Sequence, residues 1–211
     1  MKLNKGRVKL FLTAMLLLAL TACQSQPTTS TLSQSPEPVE KPRYFAATGQ
    51  TVPGDFLRFF DAYGGVDSFG LPLTGETIAD GWRVQYFEKS RLEYHPENEP
   101  AYHVVAGWLG DLLRRRRPPV PTSQIPPAND LRRRYFPETG HTLSGDFLTY
   151  FDTHGGSVRF GQPISEPFLA VNGRLAQDFQ AARFFWTPET DPPVTLEDIG
   201  RVYLTRQKKR P

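Results

Sequence analysis

Cysteine is almost missing from this chain. Its 211 residues contain a single one, Cys23, so no disulfide forms within the chain and no thiolate cluster holds a metal. Histidine is scarce as well: His95, His103, His141 and His154 are the four. No two of them have the i, i+4 spacing of a zinc-binding helix, and no His-Glu-x-x-His occurs. A Gly-x-Ser-x-Gly nucleophile elbow and a phosphate-cradling glycine loop are absent too. Zinc hydrolases, serine hydrolases and nucleotide-binding enzymes are thereby without their usual sequence marks, and no cofactor is expected. Long apolar runs are lacking but for one, Leu10 to Leu20, broken only by Thr13. It reaches about half of the ~20 residues that a membrane-spanning helix needs.

That run belongs to a three-part segment. Lys2, Lys5, Arg7 and Lys9 give a positive start, the apolar stretch follows, and small Thr21 and Ala22 precede Cys23. This is the layout of a secretory signal over residues 1–22. Leu20-Thr21-Ala22-Cys23 resembles the lipobox of bacterial lipoproteins. The resemblance implies cleavage before Cys23, a diacylglyceryl group on its sulfur and acylation (palmitate) of the new amino terminus. Stable anchoring generally takes more than one acyl chain, each contributing about 0.8 kcal/mol per buried CH₂. The expected location is extracytoplasmic, lipid-anchored to a bacterial membrane, on the outer face of the cell membrane or in the outer membrane.

Removing the signal changes the charge balance. The chain has 25 basic and 22 acidic residues, and the signal takes four of the basic ones, leaving 21 against 22. The basic pI therefore belongs largely to the signal, and no nucleic-acid partner is expected. Residues 23–42 combine the lipidated cysteine with a stretch rich in Gln, Ser, Thr and Pro. Such a composition does not bury enough surface to offset chain entropy. A flexible tether of roughly 25 Å root-mean-square reach is expected there.

The rest of the chain is a duplication. Tyr44–Leu73 and Tyr135–Ile164 align at an offset of 91 residues with 16 identities in 30 pairs. The shared residues include Asp55/Asp146, Phe56/Phe147, Leu57/Leu148, Phe60/Phe151 and Asp61/Asp152, the Gly64-Gly65 and Gly155-Gly156 pairs, and Phe69-Gly70 with Phe160-Gly161. The offset then becomes 92, bringing Gln85 to Gln177, Phe87 to Phe179 and Arg91 to Arg183. Repeat 1 is read as residues 43–113 and repeat 2 as 134–205. An Arg/Pro-rich linker occupies 114–133 and a basic tail 206–211.

Each repeat predicts an α+β unit: one short amphipathic helix and a small antiparallel sheet. Gly54–Tyr63 and Gly145–His154 place aromatics at i and i+4, one helical stripe. The first-turn aspartates suit the helix dipole, and the Gly-Gly pairs suit a helix end. Asp80-Gly81 and Asn172-Gly173 are favoured hairpin dipeptides. The alternation of Trp82, Val84 and Tyr86 with Arg83, Gln85 and Phe87 predicts a strand covered on both faces. Val104–Leu113 and Glu197–Thr205 close each repeat as strand or helix. The four arginines Arg114–Arg117 and the prolines after them predict a solvated, self-repelling spacer, with a patch for anionic lipid or polymer as the other reading.

Ser68–Glu76 (SFGLPLTGE) and Arg159–Glu166 (RFGQPISE), each followed by a glycine hairpin and an aromatic strand, resemble the core of LGFP-type repeats. Gly107-Trp108-Leu109-Gly110 fits the same order. Phe69 and Phe160 stand where those repeats usually have leucine, and each unit here is longer. The resemblance implies a non-catalytic module that attaches to the cell envelope.

The residues offer two further readings. Asp55 with Asp61, and Asp146 with Asp152, recur as paired carboxylates, the equipment of an envelope glycan hydrolase. Residues six apart on a helix diverge by about 120°, which favours capping and salt bridging. Alternatively the exposed aromatics hold another exported protein, making the chain a scaffold. The expected function is a non-enzymatic, membrane-anchored binding module for a cell-envelope component, a glycan or peptidoglycan. Its candidate ligand-binding residues are Trp82, Trp108, Trp186, Arg91 and Arg183. The tryptophans differ between repeats, and a strand arginine amid aromatics either stacks on a ring, clamps a carboxylate or pairs with Glu76 or Glu166.

Overall fold

The computed structural model describes residues 40–209. The signal segment, Cys23 and the tether before residue 40 lie outside them. The fold is α+β, and the two repeats build the same elements in the same order. Each opens on a hairpin: β1 (Arg43–Phe45) with β2 (Gln50–Val52), and β7 (Arg133–Phe136) with β8 (His141–Ser144). The expected amphipathic helices follow as α1 (Gly54–Ala62) and α4 (Gly145–Thr153), burying Phe56, Leu57 and Phe60 in one, Phe147, Leu148 and Phe151 in the other. The Gly-Gly pairs reverse the chain rather than only stopping it. Gly64 at φ 99° and Gly155 at φ 101° lead into second short helices, α2 (Gly65–Phe69) and α5 (Gly156–Phe160). Left-handed backbone of this kind costs glycine nothing and other residues 1–2 kcal/mol or so, about the size of a lost hydrogen bond.

A four-stranded antiparallel meander completes each repeat. In the first it runs β3 (Thr77–Ala79), β4 (Trp82–Phe87), β5 (Ser90–Tyr94), β6 (Val104–Ala106); in the second β9 (Phe168–Leu169), β10 (Leu175–Asp178), β11 (Arg183–Trp186), β12 (Val194–Leu196). Asp80 (φ 55°) and Gly81 (φ 88°) form the tight β3–β4 turn that their dipeptide predicts. The repeat 2 turn is wider: the Gly173 N–H donates to the Ala170 carbonyl at 2.9 Å, across Val171 and Asn172. That extra residue accounts for the change of offset. The closing segments are strand and helix in turn, β6 then α3 (Leu109–Leu112), and β12 then α6 (Ile199–Lys208).

Strand alternation explains why β4 is buried on both faces. Phe87 on β4 and Leu92 on β5 join Phe56, Phe60 and Phe69 of the helix pair in one core. Val84 and Tyr86 turn the other way and meet Leu109 and Leu113 of repeat 1 and Ile199 of repeat 2. The closing helix of repeat 2 thus joins α3 in covering the sheet of repeat 1. The hydrogen bonds at the starts of the two closing helices are reciprocal. The Gly110 N–H donates to Gln180 O at 2.8 Å, and the Gly200 N–H donates to Glu88 O at 3.0 Å. Gly110 matches Gly200, and Glu88 matches Gln180. A Cβ on Gly110 would collide with the Phe179 carbonyl, and one on Gly200 with the Phe87 carbonyl.

Reciprocal contacts of equivalent residues are the signature of a twofold relation. Ser68 and Arg159 occupy equivalent positions and touch: Arg159 Nη2 donates to Ser68 O at 2.9 Å. The pseudo-twofold axis therefore passes between them, and both repeats belong to one compact unit. Arg159 is 0% exposed. Its guanidinium stacks on Phe69 at 3.9 Å, and its Nη1 donates to Ser90 Oγ at 3.4 Å. Burial pushes its pKa down, to about 9, which leaves it charged at neutral pH.

The linker is not the free spacer that its composition predicts. Arg115 donates to Glu197 at 2.5 Å, Arg116 pairs with Asp111 at 2.8 Å, and the Arg117 guanidinium lies 4.5 Å from the Phe168 ring. The Arg117 N–H donates to Ile164 O and the Val120 N–H to Gly140 O, each at 2.9 Å. Each of these three arginines finds its own partner on the folded unit, so their mutual repulsion is offset locally.

Candidate functional site

The repeated carboxylates serve as struts. Arg43 grips Asp61 through both oxygens, at 2.8 and 2.6 Å. Arg134 grips Asp152 in the same way, at 2.7 and 2.8 Å. These pairs tie the opening hairpin to the helix behind it. Asp55 pairs with Arg83 at 2.9 Å, and Asp146 accepts the Trp186 Nε1–H at 2.7 Å. Gln85 and Gln177 are shared for a similar purpose. Gln85 Nε2 donates to the carbonyls of Thr51 and Thr74, and Gln177 Nε2 to those of Thr142 and Ser165.

The strand arginines do not pair with Glu76 and Glu166. Arg83 takes Glu76, with bonds of 2.8 and 2.6 Å, while Glu166 caps Thr142 and His141. The reason is the pleat. Arg91 stands opposite Tyr86 and Arg83 opposite Tyr94, so the two arginines leave the sheet on opposite faces.

On its own face Arg91 enters a groove of about 540 Å³. Three of the five residues expected to bind ligand, Trp82, Arg91 and Trp108, line it together. Trp108 starts α3 and is 53% exposed. Trp82 stacks on His95 with ring centroids 4.1 Å apart. Ser157 and Val158 of α5 complete the wall, so the second repeat contributes to a site built mainly by the first.

A chain of charges runs along the floor. Arg91 is 2% exposed and bonds to Asp80 at 3.0 Å and Glu93 at 2.7 Å. Burial works against its charge, and Glu93, Tyr86 and Asp80 together outweigh that, raising its pKa. Glu93 also accepts from His95 Nε2 at 3.0 Å, while His95 Nδ1 donates to Glu97 at 2.9 Å. Both ring nitrogens face carboxylates, which only accept, so the imidazolium satisfies both. Burial opposes that charge, yet the two carboxylates hold the His95 pKa above its usual value. Gly107 lets this network form, because a Cβ there would collide with the Glu93 carboxylate.

A second groove, of about 380 Å³, adjoins the first. Both are lined by Tyr102, Val105 and Val158. Asp55, Arg58 and Tyr63 lie along its far side.

Trp186 and Arg183 are not part of either groove. Trp186 is held by Asp146, as above. Arg183 pairs with Asp178 through two bonds of 2.7 and 3.0 Å, beside Glu197 at 3.5 Å. Where Trp82 stands in repeat 1, repeat 2 has Arg174, whose guanidinium covers Phe185 at 3.8 Å. Phe185 itself replaces Glu93, and Asp198 replaces Trp108. Sequence reasoning passed over His95, Glu93 and Tyr102. The only signal they carried was that repeat 2 has no match for them.

Among the described residues, no group of His, Asp and Glu side chains is arranged to hold a metal ion, and no helix is long and apolar enough to cross a membrane. No family model matches the chain, and no curated protein matches it.

Proposed function

We propose that the chain is an extracytoplasmic lipoprotein, anchored through Cys23, whose folded part binds a cell-envelope glycan without cleaving it. The observation that carries this reading is the groove in which Trp82 and Trp108 stand beside a network of paired charges. Aromatic faces next to fixed polar groups are the usual equipment of a site that orients a ligand part apolar and part hydroxylated. Glu93 is tied to Arg91 and His95, and the repeated aspartates are tied to cations or an indole. Carboxylates so engaged favour holding over hydrolysis, since a general acid or base needs reach to the bond it attacks. The order of motifs that resembles LGFP-type repeats points the same way.

Co-sedimentation of the full chain with purified peptidoglycan sacculi tests the binding. Retention is expected, with no release of soluble sugar. Loss of sacculus mass would instead identify a hydrolase, and no retention at all would leave the scaffold reading. For the anchor, Cys23→Ser is expected to give uncut precursor without lipid. Normal acyl labelling of that variant would refute it.

A further inference from the structure

We infer that the two adjoining grooves form one cleft for a linear, uncharged glycan strand, and that each chain carries one such site despite its two repeats. This rests on the binding reading above and gives it a ligand charge, a length and a stoichiometry.

Continuity supplies the length. The grooves lie on the two faces of the edge strand β6 and meet over it, where Tyr102, Val105 and Val158 line both. Aromatic side chains are spaced along the whole course: Trp82 and Trp108 at one end, Tyr102 at the junction, Tyr63 and Tyr94 at the other. A single sugar ring would use one part of this surface and leave the rest exposed. A strand would use all of it.

Charge decides the class. In the first groove the guanidinium, Arg91, is withdrawn between two carboxylates, and Glu93 and Glu97 enclose His95. The second groove has one carboxylate and one guanidinium, Asp55 and Arg58. Neither surface offers the net positive field that draws a phosphate-rich wall polymer. Uncharged sugars lose nothing there.

Repeat 2 shows why the count is one. Arg174 lies over Phe185 at 3.8 Å where repeat 1 has Trp82 and Glu93, and Asp198 stands at the Trp108 position. The loop that brings Tyr102 to the junction has nine residues between β5 and β6 but seven between β11 and β12, so Tyr102 has no counterpart. The counterpart of the second groove is smaller, about 280 Å³ along α4, beside Asp146, Tyr150 and His154.

The test is calorimetric titration of the full chain with N-acetylglucosamine oligomers from dimer to hexamer. Affinity should rise with length by about tenfold or more, the worth of one good anchoring contact, at one ligand per chain. Val158→Glu, at an exposed position of α5 where the grooves meet, should lower hexamer affinity about tenfold. Two ligands per chain, or affinity independent of length, would overturn the inference. Salt-sensitive binding of poly(glycerol phosphate) in preference to the oligomers would do so as well. Sacculus retention without oligomer binding would sink the cleft alone, whereas failure of both would sink the binding reading with it.

Discussion

Arg91 and Arg183 are the same residue at the same strand position, and they live in different surroundings. Arg91 is held by Asp80, which is 58% exposed, and by Glu93 on its own strand. Arg183 is held by Asp178, 0% exposed, with Glu197 and Arg115 closing around it. Tyr86 occupies the Asp178 position in repeat 1, and Gly107 the Glu197 position. The carboxylates have been moved rather than lost. In repeat 1 the result is an open groove floored by charge; in repeat 2 it is a sealed ion cluster beneath the linker. The frame common to the repeats comes from the residues they share, such as Phe60/Phe151, Gln85/Gln177 and Gly110/Gly200. What sets the candidate site apart around Arg91 comes from residues they do not share: Trp82, Glu93, His95, Tyr102 and Trp108.

The sharpest way to break this comparison is to remove each arginine. Arg183→Ala leaves the buried Asp178 with only Arg115, 3.6 Å away. Removing one partner of a buried ion pair costs up to about 3–5 kcal/mol, and the more distant Arg115 offsets only part of it. Arg91→Ala should cost less, because Asp80 faces water and Glu93 keeps His95. Urea denaturation of the two variants reads the difference, and equal losses would mean that the two environments are energetically alike.

Next in size are the interlocking glycines. Gly110→Ala and Gly200→Ala each force a methyl group against a carbonyl of the other repeat. Overpacking at such a close approach costs about 3 kcal/mol. Both variants should melt in a single transition, since the repeats share one apolar cluster and exchange backbone hydrogen bonds. A two-step melt, with one repeat outlasting the other, would contradict the reciprocal packing.

The smallest effect is the titration of His95. Its folded pKa lies above the unfolded value of about 6.5, so the folded state binds the proton more tightly. The stabilisation is fully present below that unfolded value and fades as pH rises through the folded one. It should amount to about 1 kcal/mol or less, the usual range for partly exposed pairs. His95→Gln should flatten this part of the pH–stability curve. Repeat 2 has Thr187 there and contributes nothing to it.

What the sequence made legible follows the same division. The duplication shows when the chain is aligned with itself, and the aromatic stripe of α1 and α4, the Asp80-Gly81 turn and the alternation of β4 depend on neighbours a few residues away. The local pattern therefore contained them. The second short helices did not show, because five residues after a Gly-Gly pair are too few for a 3.6-residue period to register. The exchange of α3 and α6 did not show either, since it depends on contacts between residues some ninety positions apart. For the same reason the linker arginines read as a solvated run until Glu197, Asp111 and Phe168 were placed beside them. Trp82, Arg91 and Trp108 were singled out from the sequence, and the fold brings them together. Trp186 and Arg183 stand out in the sequence on the same grounds, and they lie outside both grooves, bound to Asp146 and to Asp178 with Glu197.

The three tryptophans offer the most direct trial. Their indole N–H signals are to be followed by NMR while an uncharged glycan fragment, the N-acetylglucosamine hexamer, is added to the full chain. The account predicts that the Trp82 and Trp108 signals shift together on one binding curve, while Trp186, its N–H held by Asp146, stays still. A shift confined to Trp186, or none in any indole while the fragment demonstrably binds, would contradict it.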